Sequence, residues 1–249
     1  MRAVITGGAG GLGRATARHF RMAGAHVLLA DIDEVALAQA AKDLDLPTLQ
    51  CDVSLAADCT RLVEQAERLL GGPLDVFLVH AGRPFAGPLS EASPESIRAV
   101  IDVNVTGSIY SAQAALRSLI RGKHPSLLFT GSLQSSVGRA ERSVYTASKH
   151  AIAGLVKALA LEMGPHGVRV NGIAPSGVDT PFLHAAWRQA GVGIDAGLQA
   201  ASRDMPLGRI PTPDDFAAAA VFLASPAASA ITGQMLMVDC GASAGKFGR

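Results

Sequence analysis

Short runs rich in aliphatic and β-branched residues alternate with longer stretches of helical periodicity along the whole chain, and this alternation limits the possible folds more than any other feature. The runs fall near Arg2 to Thr6, His26 to Ala30, Thr48 to Cys51, Asp75 to Val79, Ser126 to Thr130, Arg169 to Ile173 and Met235 to Val238. Helical patterns begin near Gly11, Glu34, Ala56, Pro94, Ser143, Pro181 and Pro213. Proline suits a first helical position because its missing N–H would have no intrahelical partner there. Strands joined by helix-length connections pair in parallel and need cover on both faces, so the pattern predicts an α/β fold. No linker, composition break or repeat divides the 249 residues, which predicts one domain over 1–249.

Composition removes several classes of function. Apolar residues make up 49% of the chain and charged residues 17%, as expected for a well-buried globular protein. Lysine and arginine total 22 against 21 acidic residues, with no clustered basic run, so no nucleic-acid or anionic-membrane partner is expected. Cys51, Cys59 and Cys240 lack metal-ligand spacing and are too few and odd for a disulfide framework. They predict no metal site and a reducing, cytoplasmic setting. The first strand follows Met1 almost at once, leaving no room for a signal peptide, and the apolar stretch from Ala151 to Met163 is broken by Lys157 and Glu162, so no membrane span is expected.

The first strand runs into the segment TGGAGGLG and then a helical pattern from Arg14. Between a strand and a helix, glycines permit a tight turn and let backbone approach a pyrophosphate, while the helix N-terminus directs unpaired N–H groups at the anion. Gly7, Gly11, Leu12 and Gly13 are therefore candidates for a dinucleotide site. The second strand ends at Asp31, followed by Ile32. An acidic side chain there can accept hydrogen bonds from both adenosine ribose hydroxyls and would repel a 2′-phosphate, which favours NAD over NADP. A cap for the helix that follows is the other use of Asp31. Asp52 and Val53, closing the third strand, suit an adenine pocket, with Cys51 in a packing role. The small residues Ala81 and Gly82 after the fourth strand let a nucleotide lie against backbone, and His80 reads as a hydrogen-bonded structural residue.

Tyr145 and Lys149 stand one helical turn apart in VYTASKH, a spacing that lets an ammonium act on a phenol. Ser132 follows the fifth strand at the carboxyl edge of the sheet, where open α/β sheets place ligands. Asn104, with Gly107 three residues on, weakens the helix that carries it and points to a local irregularity.

With the glycine segment, Asp31, the DV at Asp52, the NV at Asn104, the GS at Ser132 and YxxxK in order, the chain resembles the short-chain dehydrogenase/reductase family over nearly its whole length. The resemblance implies a single-domain, Rossmann-type, doubly wound parallel sheet of seven strands flanked by helices. It also implies NAD(P) as cofactor and hydride exchange between nicotinamide and an alcohol or carbonyl. By resemblance Tyr145 is the acid/base and also a cofactor contact, Lys149 lowers its pKa and holds the nicotinamide ribose, Ser132 binds the substrate oxygen, and Asn104 positions a water leading from Lys149 to solvent. In the segment from Asn171 to Thr180, Pro175, Val178 and Thr180 would contact the cofactor, Val178 through its backbone at the carboxamide. Two residues depart from the family pattern: Ser176, where glycine is usual after the proline, and His80, where asparagine is usual.

Residues 181–210 match the family's substrate-covering region, and their glycines suit a lid. Gln134, His184 and Trp187 are candidates for substrate contact, and the loop at Arg83 and Phe85 could also reach the site. The scarcity of charge there predicts a neutral secondary alcohol or polyol, with a carboxylate held by Arg83 or Arg188 as the rival. An NADPH-dependent ketoacyl-type reductase and a catalytically silent NAD-binding sensor are the competing functions. The helix after Lys149 is apolar on nearly every face, which predicts burial against further copies of the chain. Family resemblance implies a homotetramer.

Overall fold

β1 (Arg2–Thr6), β2 (His26–Asp31), β3 (Thr48–Gln50), β4 (Val76–Val79), β5 (Ser126–Thr130), β6 (Arg169–Pro175) and β7 (Met235–Val238) form one parallel sheet in the order β3-β2-β1-β4-β5-β6-β7. The computed structural model describes residues 1–180, 183–184, 187–188, 191–203 and 205–245. The strand order reverses between β1 and β4, where Ala3, Val4 and Ile5 pair with Val76, Phe77 and Leu78. This is the switch point, outside whose strand carboxyl ends a crevice opens.

Alternate residues of the strands serve opposite cores, because successive side chains point to opposite faces. On one face Val4, Leu28, Phe77, Leu127 and Phe129 meet α3 (Ala56–Leu70), α5 (Gly107–Leu119) and α6 (Ser143–Met163) through Leu62, Ala115, Ile152 and Val156. On the other, Ile5, Leu29, Leu78, Leu128 and Ile173 meet α1 (Gly11–Met22), α2 (Glu34–Leu44) and α8 (Pro213–Ala224) through Phe20, Leu37, Phe216 and Leu223. The fold is thus the expected doubly wound seven-stranded α/β sheet. Both its faces are covered, so its strands read as nearly continuous apolar runs.

Two stretches differ from the simplest reading. The helix carrying Asn104 is interrupted: α4 (Pro94–Ile101), capped by the Ser93 hydroxyl on the Ser96 N–H at 3.1 Å, passes through one π-helical turn at Asp102–Thr106 before α5 continues the path. Gly107 is required where the turn ends, since a Cβ there would lie 2.8 Å from a Val53 methyl. The helix expected from Pro181 begins outside the described residues, as does part of the proposed lid; α7 (Ile194–Ser202) is the described helix of that region.

Candidate active site

The glycine segment brings the carboxyl end of β1 against the carboxyl end of β4. Gly7 has φ +66°, and a Cβ on it would lie 2.8 Å from the Ala81 Cα. Gly13 is needed for a different contact, because its Cβ would lie 2.6 Å from the Gly7 carbonyl oxygen. It therefore packs α1 onto the turn, while Gly7, Gly11 and Leu12 border a cleft of about 740 Å³. No acidic residue occupies the first turn of α1 and no side chain caps it, so its N-terminal amides are free to meet an anion.

At one end of this cleft stand Asp31, Ile32, Cys51, Asp52 and Val53. Asp31 accepts from the Ala9 N–H at 3.1 Å and the Asp33 N–H at 3.2 Å, which fixes its carboxylate against the glycine turn. The capping role belongs to Asp33, which accepts from the Ala36 N–H at 3.0 Å. Asp52 accepts from the backbone N–H of Ser54 at 2.9 Å and from its hydroxyl at 2.7 Å. The neighbouring Cys59 thiol and burial both push the Cys51 thiol up, as suits a packing residue.

Ser132, Tyr145 and Lys149 line the other end, together with Thr130 and Gly131, Ala81 to Pro84, and the strand-end segment of Pro175 to Val178. Lys149 is only 6% exposed and donates to the Thr130 carbonyl at 2.8 Å, with its Nζ 5.6 Å from the centre of the Tyr145 ring. Burial lowers the ammonium pKa to about 8. Burial also raises the Tyr145 phenol, opposed by the Ser132 hydroxyl and by the charge of Arg142. The net direction for Tyr145 is upward, and the lowering expected from Lys149 is not among its causes in this structure; the ammonium bonds to the Thr130 carbonyl. Ser132 accepts from the Gln134 N–H at 3.2 Å, and its own N–H donates to the Ser135 hydroxyl at 3.1 Å.

Asn104 is buried behind the cleft wall and does not itself line it. Its Oδ1 accepts from the Arg83 N–H at 2.7 Å, and its Nδ2 donates to the Arg83 carbonyl at 2.9 Å and the Ser148 hydroxyl at 3.1 Å. The side chain thus ties the loop after Gly82 to α6, and its main-chain carbonyl accepts from the Ser108 hydroxyl at 2.7 Å. Gln134, His184 and Trp187 also lie off the cleft wall among the described residues. Gln134 accepts from the Thr146 hydroxyl at 3.0 Å, His184 meets Asp179 at 2.6 Å, and the Trp187 ring stacks on His184 at 5.7 Å. Thr180 lines the cleft, donating to the Val178 carbonyl at 3.2 Å and accepting from the Leu183 N–H at 3.3 Å.

Reasoning from the sequence missed two contributors, Arg142 and Thr130. Arg142 donates to the Phe85 carbonyl at 2.9 Å, holding the loop over the start of α6 beside Tyr145. Its position three residues before the tyrosine was the available signal. Thr130 carries Lys149 on its carbonyl and meets His80 Nδ1 through its hydroxyl at 2.9 Å. His80, which also borders the cleft, was read as structural; burial and the Lys149 charge lower its pKa to about 4. Among the described residues no group of His, Cys, Asp and Glu could hold a metal ion, and no helix is long and apolar enough to cross a membrane.

Known proteins resemble the chain over nearly its whole length. Residues 7–243 match the family model described as enoyl-(acyl carrier protein) reductase. The chain is 38% identical over 248 residues to momilactone A synthase of Oryza sativa subsp. japonica, covering 97% of this chain and 89% of that protein. It is 37% identical over 246 residues to 2,5-dichloro-2,5-cyclohexadiene-1,4-diol dehydrogenase of Sphingobium indicum, covering 97% and 96% of the two chains. The crystal structure of a 3-ketoacyl-(acyl-carrier-protein) reductase from Brucella melitensis in complex with NADH superposes with a TM-score of 0.88 at 29% identity, covering 97% of each chain.

Proposed function

The chain belongs to the short-chain dehydrogenase/reductase family, and on that footing we propose that it is an NAD-dependent oxidoreductase exchanging hydride between the cofactor and a secondary alcohol or polyol and its ketone. The observation that carries this reading is one cleft with an acidic end at Asp31 and a hydroxyl–phenol–ammonium end at Ser132, Tyr145 and Lys149. The cradle fits a dinucleotide: Gly7 and Gly13 leave no room for a Cβ against the neighbouring backbone, which keeps the turn tight under the cleft, and Asp31 is pinned where a ribose diol would find an acceptor.

In this reading Gly7, Gly11, Leu12 and the α1 amides hold the diphosphate, with Gly13 keeping α1 close. Asp31 and Ile32 take the adenosine ribose, and Asp52 and Val53 the adenine. Ala81 and Gly82 give the nucleotide a bare backbone wall, and Pro175, Val178 and Thr180 border its ring end. The nicotinamide supplies the hydride acceptor or donor. The protein's own work is proton management: Tyr145 takes the alcohol proton while Ser132 steadies the oxygen, and a nearby cation favours the phenolate. Lys149, on the same face of α6, is the group through which that proton can leave, with Asn104 holding the adjoining loop and turn in place. Gln134, His184 and Trp187 take the role of supports around the substrate side.

The diol dehydrogenase among the relatives supports an alcohol substrate. The likeness to a ketoacyl reductase keeps a ketoacyl-type substrate as the second reading; the fixed Asp31 carboxylate argues against NADPH for either. Convergence of Ser132, Tyr145 and Lys149 on one cleft argues against a silent sensor. Nicotinamide absorbance followed with NAD and NADP across secondary alcohols, polyols and ketones tests the proposal; equal or better turnover with NADP would overturn the cofactor assignment. The three free cysteines accord with a cytoplasmic setting. The exposed stripe of Ala151, Gly154, Ala158 and Leu161 on α6 accords with a homotetramer.

A further inference from the structure

Among the described residues, the Ser176 hydroxyl is the one buried side-chain polar atom with no hydrogen-bond partner. Its residue borders the cleft just past β6, at the end lined by Ser132, Tyr145 and Lys149. That placement follows from the sheet: β6 pairs with β5, and the Gly131 N–H donates to the Ile173 carbonyl at 2.8 Å, so the segments after the two strands leave the sheet side by side. Five other polar side chains along the wall are occupied. Thr180 is engaged with Val178 and Leu183, Ser132 with Gln134, Thr130 with His80, Asp31 with Ala9 and Asp33, and Asp52 with Ser54.

A buried hydroxyl without a partner destabilises the protein that carries it, unless a ligand supplies the missing bond. No hydrogen bond holds this hydroxyl in its rotamer, and rotation about χ1 is the movement that would turn it toward the open side of the wall. The group it would meet lies at the reactive end and is polar, and a serine can serve it as donor or acceptor. Of the parts of a dinucleotide, the carboxamide of the nicotinamide ring and the ribose hydroxyls beside it meet those conditions, and the carboxamide is the one that a ringless nucleotide lacks. We propose that Ser176 is a binding residue for this carboxamide, a contact that glycine at this position could not make. The proposal rests on the dinucleotide reading of the cleft.

The test compares Ser176→Ala and Ser176→Gly with the unchanged protein by two measurements. One is the melting temperature of the ligand-free protein. The other is the Kd of NADH or NADPH, whichever binds more tightly, set beside the Kd of its ringless counterpart, ADP-ribose or its 2′-phosphate. Ser176→Ala is expected to melt about 2–4 °C higher when ligand-free, and both variants to bind the complete dinucleotide about three- to tenfold more weakly. Binding of the ringless nucleotide should stay within twofold. Equal losses on both nucleotides, no loss on either, or a lower melting temperature for Ser176→Ala would overturn the assignment to the ring. If the unchanged protein binds neither kind of nucleotide, the dinucleotide reading itself fails, and the proposal with it.

Discussion

Lys149 shows how one residue can be placed against its own stability. Its folded pKa of about 8 lies below the usual 10.5, so the folded chain binds the proton less tightly than the unfolded chain. The resulting penalty is full below pH 8 and disappears as pH rises through 10.5. Lys149→Met should therefore abolish turnover yet melt several degrees higher than the parent at pH 7, with the difference shrinking between pH 8 and 10.5; thermal melts across that range check both. His80 has the same sign in another window. With its folded pKa near 4 against 6.5, the protein should lose stability as pH falls from 6.5 toward 4, and His80→Asn should flatten that part of the melting profile. Tyr145→Phe should lower kcat by about 10²–10⁴-fold with a much smaller effect on dinucleotide affinity, because the phenol's chief part is to handle a proton. Full activity in this variant would remove the mechanism.

The strands and most helices were legible in the sequence for a physical reason: parallel strands covered on both faces must be apolar throughout, and Ser93–Pro94 and Thr212–Pro213 mark helix starts by capping chemistry. The π turn was half legible. Asn104 and Gly107 announce that something interrupts the helix, but not that the asparagine side chain would reach across to Arg83 and Ser148. The ends of the cleft were legible because Gly7, Asp31, Ser132, Tyr145 and Lys149 each have a local chemical signature. The network among Thr130, His80, Arg142 and Phe85 was not, since it depends on which loop meets which helix, and no local pattern encodes that. Asn104→Ala should release the loop at Arg83 and cost about 1–3 kcal/mol, with a larger rise in KM than fall in kcat, as steady-state kinetics and denaturant melts would show. On α6, Leu161 is 82% exposed and Gly154 faces open space within the chain, so the helix has a smooth apolar side with nothing of its own to cover it.

For the whole molecule, that side predicts association. Light scattering at micromolar concentration should give four times the 25.5 kDa chain mass, and Gly154→Arg should reduce it without disturbing the fold of the single chain. A parent protein running at the monomer mass would overturn the tetramer. The pairing of β1 with β4 has a consequence for how activity arises in time. The chain's first three strands and its last four are separate winding units that meet along that seam and through the packing of α1 on α8 and of α3 on α5, and the cleft spans the seam, with Asp31 on one side and Tyr145 on the other. Neither unit contains a working site. During refolding, helical signal from each half should therefore return before any turnover does, and the delay between the two measures how long the halves take to find one another.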